Sequence, residues 1–311
     1  WDGGGGADTN WNTATNWSDD TVPIAGDAVV FDATSTNNST MNVAVPALLS
    51  FNANAGYTGT ITVTVDQTTD DAFGATTFAA AFTYQMNTVS AGETTTFTMS
   101  NGTVSANAGT RVFNVSGNVS ITGGTWNGGY LQTEATLNLS STITFGDAAS
   151  EGCSISDGGT VTLTANLTCS DLLIDGTGTA DLNKSTLTLT VNNNLNIQGT
   201  GGNSLVSTSG NVTVTGNAGI NTASAFIDFG SEAWTVSGTW TNSTTTASWD
   251  AGTGTVTFDS ATGGTMTFAG ANLAEAEFNS ITFDSTATTA QTWTLATRTL
   301  TFGCSKSSPS N

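Results

Sequence analysis

The sequence predicts an all-β protein, a parallel β-solenoid with an N-terminal capping segment. Three observations carry this expectation: a nearly continuous period-two alternation, glycine pairs at short intervals, and internal similarity among strand-turn units.

Apolar residues alternate with threonine in Thr60–Val65, Thr160–Thr164, Thr186–Val191, Gly254–Phe258 and Thr299–Phe302. Such alternation sends Val, Leu, Ile and Phe to one face of a strand and Thr to the other. Threonine is β-branched and suits an exposed strand position. Helical periodicity is almost absent; the short stretch Ala271–Glu277 is the exception and reads as a turn or loop. The pairs Gly123-Gly124, Gly128-Gly129, Gly158-Gly159, Gly201-Gly202 and Gly263-Gly264 punctuate the strands. Short strands with frequent turns fit a sandwich, a barrel or a solenoid.

Internal similarity favours the solenoid. Ser116–Gly123 resembles Ser209–Gly216, and Asn193–Gly199 is a looser copy. A Thr-x-Thr-Phe strand recurs at Thr255–Phe258, Thr265–Phe268 and Thr299–Phe302, with Ser280–Phe283 a near match. Irregular coils of about 20–25 residues suit repeat architectures. About a dozen rungs, each about 4.8 Å high, would build a rod on the order of 60 Å long. Tandem β-sandwich domains are the alternative on the same strand signals. Residues 1–45 differ: they hold Trp1, Trp11, Trp17 and Gly3–Gly6, with little alternation before Ala28–Phe31. They are expected to cap the solenoid of residues 46–311, because the end rung of a solenoid is an unpaired edge.

Composition limits function. The chain has 4 Lys+Arg, 24 Asp+Glu and no His, and only 9% of its residues are charged, against about 25% in ordinary domains. Hydrophobic residues still make up 37%, enough for a core and too many for a disordered chain. Arg111, Lys184, Arg298 and Lys306 are too few and scattered to neutralise phosphates, so no nucleic-acid partner is expected. Anionic membranes are disfavoured for the same reason. No apolar run approaches the length of a membrane span. Trp1 is not Met, so the chain is expected to be a processed form with its leader removed.

The N-terminal stretch Trp1-Asp2-Gly3-Gly4-Gly5, Trp11, Asn16-Trp17, Pro23, Gly26-Asp27 and Phe31 resembles a motif that opens many bacterial cell-surface β-solenoids. These are autotransporter-passenger-like and adhesin-like proteins rich in Thr, Asn and Gly. The resemblance covers about 35 residues; the remainder is similar in style. It implies a right-handed parallel β-helix, displayed on a cell surface or released outside the cell.

Candidate chemistry is sparse. Without His, the usual Ser and Cys triads have no base. Asp19-Asp20 and Asp70-Asp71 are adjacent and would diverge on a strand, whereas Glu275 and Glu277 would share a face. A polysaccharide-cleaving β-helix enzyme is the reading they would serve, through carboxylates set at a defined separation. No catalytic or cofactor-binding residue is assigned, and the chain is expected not to be an enzyme. Asp175 and Asp181 flank a Gly-rich segment that loosely resembles a Ca²⁺ loop, but its spacing fits no known loop. The bland reading is a glycine-rich turn, and general Ca²⁺ association with an acidic surface is a separate expectation. Cys153 and Cys169 are disulfide candidates in an oxidising compartment, or buried free thiols. Cys304 could pair between subunits. The N-x-Ser/Thr sequons, such as Asn114, Asn166 and Asn211, are no more numerous than this Ser/Thr-rich composition produces by chance.

The C-terminal aromatics Trp234, Trp240, Trp249, Phe258, Phe268, Phe278, Phe283, Trp293 and Phe302 read as core, with a glycan platform or a subunit interface as alternatives. The expected function is that of a non-catalytic extracellular structural protein, a subunit that assembles with copies of itself through end-to-end strand contacts. Asn and Thr on its rungs would extend side-chain ladders. The alternative is an adhesin for glycans or other surface proteins.

Overall fold

The computed structural model describes residues 1–88, 90–106, 111–133, 137–139, 143–145, 152–155, 160–163, 165–176, 181–243, 248–261, 264–268, 278–284 and 293–296. Thr299–Phe302, Ala271–Glu277, Arg298, Cys304 and Lys306 lie outside the described residues.

Period-two alternation produces short strands, and every strand pairing described is parallel. The strands stack into sheets of twelve, ten, six and five strands, as a β-solenoid with no sandwich arrangement among the described residues. From residue 90 onward the chain visits three faces in turn. One coil contributes Ser90–Thr94 to the ten-stranded sheet, Thr96–Met99 to the six-stranded sheet and Thr103–Ala106 to the twelve-stranded sheet. Beyond Leu137–Leu139 the place of the six-stranded sheet in the coil passes to the five-stranded sheet, which opens with Thr160–Thr162. Among the described residues no helix is long and apolar enough to cross a membrane.

Coil length is irregular, as expected. Leu167, Leu189, Val212, Trp234 and Val256 are successive register partners, 22 or 23 residues apart. Elsewhere the step falls to 18, from Val119 to Leu137, and rises to 29, from Gly264 to Trp293. The internal copies acquire a physical meaning here. Val119–Ile121, Val212–Val214 and Leu195–Ile197 lie on three different sheets. The local similarity marks one strand and its turn, a third of a coil, and not the whole coil. By contrast, Thr255–Phe258 and Ile281–Phe283 do stack directly, with Val256 on Ile281 and Phe258 on Phe283.

The inward residues form one continuous core. Its N-terminal part is aromatic: Phe31, Phe51, Phe73, Tyr84, Phe78, Phe97, Phe113 and Trp126 pack ring on ring in that order. The middle is aliphatic, with Leu167, Leu172, Leu189, Val191, Leu195 and Ile197 buried. Each such side chain contributes about 1.5–3 kcal/mol on leaving water. Trp234, Trp240 and Phe258 are buried as well, as the core reading of the C-terminal aromatics expects, but Phe278 is half-buried and Phe283, on the last strand of the twelve-stranded sheet, is exposed against that reading. At one corner Gly230 and Gly252 stack one coil apart with φ of 62° and 53°. A Cβ on Gly252 would overlap the Gly230 carbonyl oxygen, so both the conformation and the space require glycine.

The N-terminal segment lies over the open end. Trp1, Trp11 and Trp17 are buried, and the Trp11 and Trp17 rings meet edge to face at 4.6 Å. Trp1 packs on Phe31 at 5.5 Å. Buried Asn16 organises the loops: its amide donates to the Asp8 and Asn10 carbonyls and its oxygen accepts from Gly5 N. Trp11 N donates to Thr40 O at 2.8 Å, and Thr40 N donates to Thr9 O at 2.7 Å. These two bonds occupy the free edge of Ser39–Met41. Strands of the solenoid already begin inside this segment, since Ala28–Phe31 pairs with Ser50–Ala53 and Ser39–Met41 with Thr60–Val63.

Candidate functional site

The most regular exterior feature is the outward face of the twelve-stranded sheet. On its strands the pairs Leu167/Cys169, Leu189/Val191, Val212/Val214, Trp234/Val236 and Val256/Phe258 point inward and are buried. The residue between each pair must therefore point out. In every case it is threonine. Register pairs Thr144 with Thr168, then Thr190, Thr213, Thr235, Thr257 and Thr282, without a bulge. Thr168, Thr190, Thr213, Thr235 and Thr257 are half-exposed and Thr282 is exposed. Outward neighbours two residues away include Thr188, Thr215, Ser237 and Thr255. Among the described residues charge enters this face in a flanking column at the C-terminal end, as Asp259 and Asp284. Toward the N-terminus Trp126 pairs with Phe145, which aligns Thr144 with Thr125 and, through it, with Thr103, Thr83 and Thr60, whereas Asn127, Ser105, Gln85, Thr62 and Thr40 stand in the flanking column.

Side-chain ladders run along the axis beside this face. Asp171 Oδ1 accepts from Asn193 Nδ2, Asn194 N and Asn194 Nδ2 at 2.9–3.1 Å. Asn194 Oδ1 accepts from the backbone and side-chain amides of Asn217. Asn217 Oδ1 in turn accepts from Thr239 N and Oγ1 at 2.9 and 2.8 Å. On the ten-stranded sheet Asn221 Nδ2 donates to Asn196 Oδ1, and Ser243 Oγ lies 3.1 Å from Asn221 Oδ1. Each rung fixes the next, which holds the outer faces in register.

The sequence-derived candidates are dispersed. Asp175 Oδ2 accepts from Gln198 Nε2 of the next coil at 3.1 Å. Asp181 opens the strand Asp181–Ser185, and residues 177–180 between them lie outside the described residues. Among the described residues no group of three or more His, Cys, Asp or Glu side chains could hold a metal ion. Asp20 and Asp71 adopt left-handed turn conformations, with φ of 53° and 52°. Asp19 accepts from Thr21 N and Asp71 from Ser116 Oγ, so both act as local turn and corner acceptors. Cys153 and Cys169 are buried free thiols in contact, on the ten- and twelve-stranded sheets; burial foremost, then the neighbouring thiol, pushes Cys153 well up. Cys304 and the carboxylates Glu275 and Glu277 lie outside the described residues. A depression of about 420 Å³ between Thr58, Phe82, Thr83, Asn101, Thr103 and Thr125 carries no titratable side chain.

Two acidic positions gain roles that the sequence did not suggest. Glu93 is half-buried and accepts from Asn114 Nδ2 and Ser90 Oγ. Burial first, and then Asp70 and Asp71, push its carboxyl above the usual range against those two hydrogen bonds. The folded chain thus holds this proton more tightly than the unfolded chain. That contribution to stability is full at acid pH and is lost as pH rises through the raised value. Glu93→Gln is therefore expected to raise the thermal midpoint at neutral pH, with the gain vanishing in acid; calorimetry across pH checks it.

Lys184 and Glu232 form a wholly buried pair, Nζ to Oε1 at 3.4 Å. Lys184 Nζ also donates to the Leu187, Ser209 and Gly210 carbonyls at 2.8–3.0 Å. Glu232 Oε1 accepts from Trp234 Nε1 at 3.1 Å and from Ser207 Oγ. Burial pulls the Lys184 ammonium down, and Glu232 opposes that pull. The pair ties coils two apart at one corner, with Ser207, Ser209 and Gly210 of the coil between them hydrogen-bonded to it. A comparison with known proteins finds no matching family model, no matching curated protein and no matching solved structure, so the threonine face and its ladders stand on their geometry alone.

Proposed function

We propose that the chain is a non-catalytic extracellular structural protein of the bacterial cell-surface β-solenoid kind: a rigid rod whose sides are its working surfaces. The observation that carries this reading is the uninterrupted threonine register on one face of the twelve-stranded sheet. Such regularity is not needed to fill the core, because outward residues contribute little to packing. The scarcity of Lys and Arg suits exposure to proteases outside a cell.

The ends of the rod enter the proposal differently. An end-to-end polymer needs two open edges. The first-rung edge at Ser39–Met41 is already hydrogen-bonded by Thr9 and Trp11. Self-association, where it occurs, would then use the sides. Sedimentation velocity over a wide concentration range, with and without Ca²⁺, tests this. A single elongated monomer is expected, and a growing series of species whose frictional ratio rises with mass, as for a lengthening rod, would restore end-to-end assembly.

A further inference from the structure

We propose that the threonine face of the twelve-stranded sheet binds ice. The inference rests on the reading of the rod's sides as working surfaces and names the ligand of one of them. It starts from periodicity. Neighbouring strands place the column threonines about 4.8 Å apart along the axis, and residues two apart on one strand lie about 6.6–6.8 Å apart. Thr188 and Thr255 flank the column on one side and Thr215 on the other, with Asn211, Ala233, Asn192 and Ser237 at the neighbouring flanking positions. The result is one unbroken column of hydroxyl and methyl groups, with small uncharged flanks from Thr190 to Thr235, whose rise is nearly commensurate with the water rows on a prism face of hexagonal ice. A ligand that is itself a lattice meets many such groups at once, and weak contacts multiply.

Residue chemistry selects the same ligand. A threonine hydroxyl both donates and accepts, so it can replace a lattice water. Its methyl group orders adjacent water without competing for hydrogen bonds. The β-branched side chain is stiff at χ1, so the column is ordered before contact and little entropy is lost on binding. A charged group would keep its own hydration shell; the column from Thr168 to Thr257 contains none. Crystalline polysaccharide is the other periodic ligand, but sugar faces are recognised by exposed aromatic rings. Trp234 and Phe258, on the same strands, point into the core.

The test uses the intact chain and ice itself. Wild-type protein is partitioned into a slowly growing ice front, and its thermal hysteresis is measured. Two variants accompany it: Thr213→Lys in the middle of the column, and Thr241→Lys on the outward side of the ten-stranded sheet. Thr213→Val, which keeps shape and removes one hydroxyl, stands in if the lysine variant fails to fold. Enrichment of wild type in ice is expected. The hysteresis should fall about tenfold in Thr213→Lys, as for loss of a central contact, and persist in Thr241→Lys. Exclusion of folded wild type from ice, equal loss in both lysine variants, or retention on insoluble chitin or cellulose without ice enrichment would overturn the proposal. An elongated monomer that ignores ice would sink this ligand and leave the structural reading intact.

Discussion

Lys184→Met is expected to lower stability by about 3–5 kcal/mol, the usual cost of breaking a buried pair from one side. The variant strands Glu232 in the core and removes the donor that satisfies the Leu187, Ser209 and Gly210 carbonyls. The double variant Lys184→Met/Glu232→Gln removes both charges and is expected to recover part of the loss, because the neutral amide still accepts from Trp234 Nε1. Denaturant midpoints of the two singles and the double form the cycle that measures the coupling. A pH dependence should accompany it. Burial holds Lys184 below the ordinary lysine value. The unfolded chain therefore binds this proton more tightly, and the cost of the buried charge fades as pH rises through the lowered value. Tyr57 and Tyr84 act in the opposite sense, since burial raises both phenols. Their contribution is lost as pH climbs above about 10, where unfolded tyrosines ionise. The difference between wild type and Lys184→Met isolates the lysine from the tyrosines.

Trp11→Ala carries the second large effect. The indole is fully buried, edge to face with Trp17 and stacked on Phe51 at 6.3 Å. Truncation of a buried tryptophan costs about 3–5 kcal/mol. The loss should be local, because each coil of a solenoid contacts mainly its neighbours. Hydrogen exchange is expected to accelerate in the N-terminal coils through Thr60–Val63, while Val212–Val214 and Trp234–Val236 keep wild-type protection. A freed edge at Ser39–Met41 should also make the variant associate as its concentration rises. Uniform acceleration along the whole chain would show that the tryptophans do not act as a cap.

The fold class was legible because alternation is a local signal: Thr60–Val63 and Thr255–Phe258 declare their buried faces within four residues. The threonine column was not. Its members are 22–25 residues apart, and only strand register aligns Thr190 with Thr213 or Thr257 with Thr282. The copies that could be seen in the sequence misled in a useful way. Thr265 resembles Thr255 in context, yet its strand Gly264–Phe268 belongs to the ten-stranded sheet. Lys184 looked like a stray surface cation because its partner Glu232 lies two coils away. Likewise Asp171, Asn194 and Asn217 acquire a common role only when their turns stack at one corner. Irregular coil length hides such columns from any fixed-period reading.

Solution X-ray scattering from the intact chain tests most directly the claim that this protein works as a rigid rod. Twelve strands stacked at about 4.8 Å span roughly 50 Å along the axis. The account predicts a linear cross-sectional Guinier region and a pair-distance distribution skewed to long distances, unchanged on dilution. A symmetric distribution, as from a compact sphere or two side-by-side domains, would contradict it.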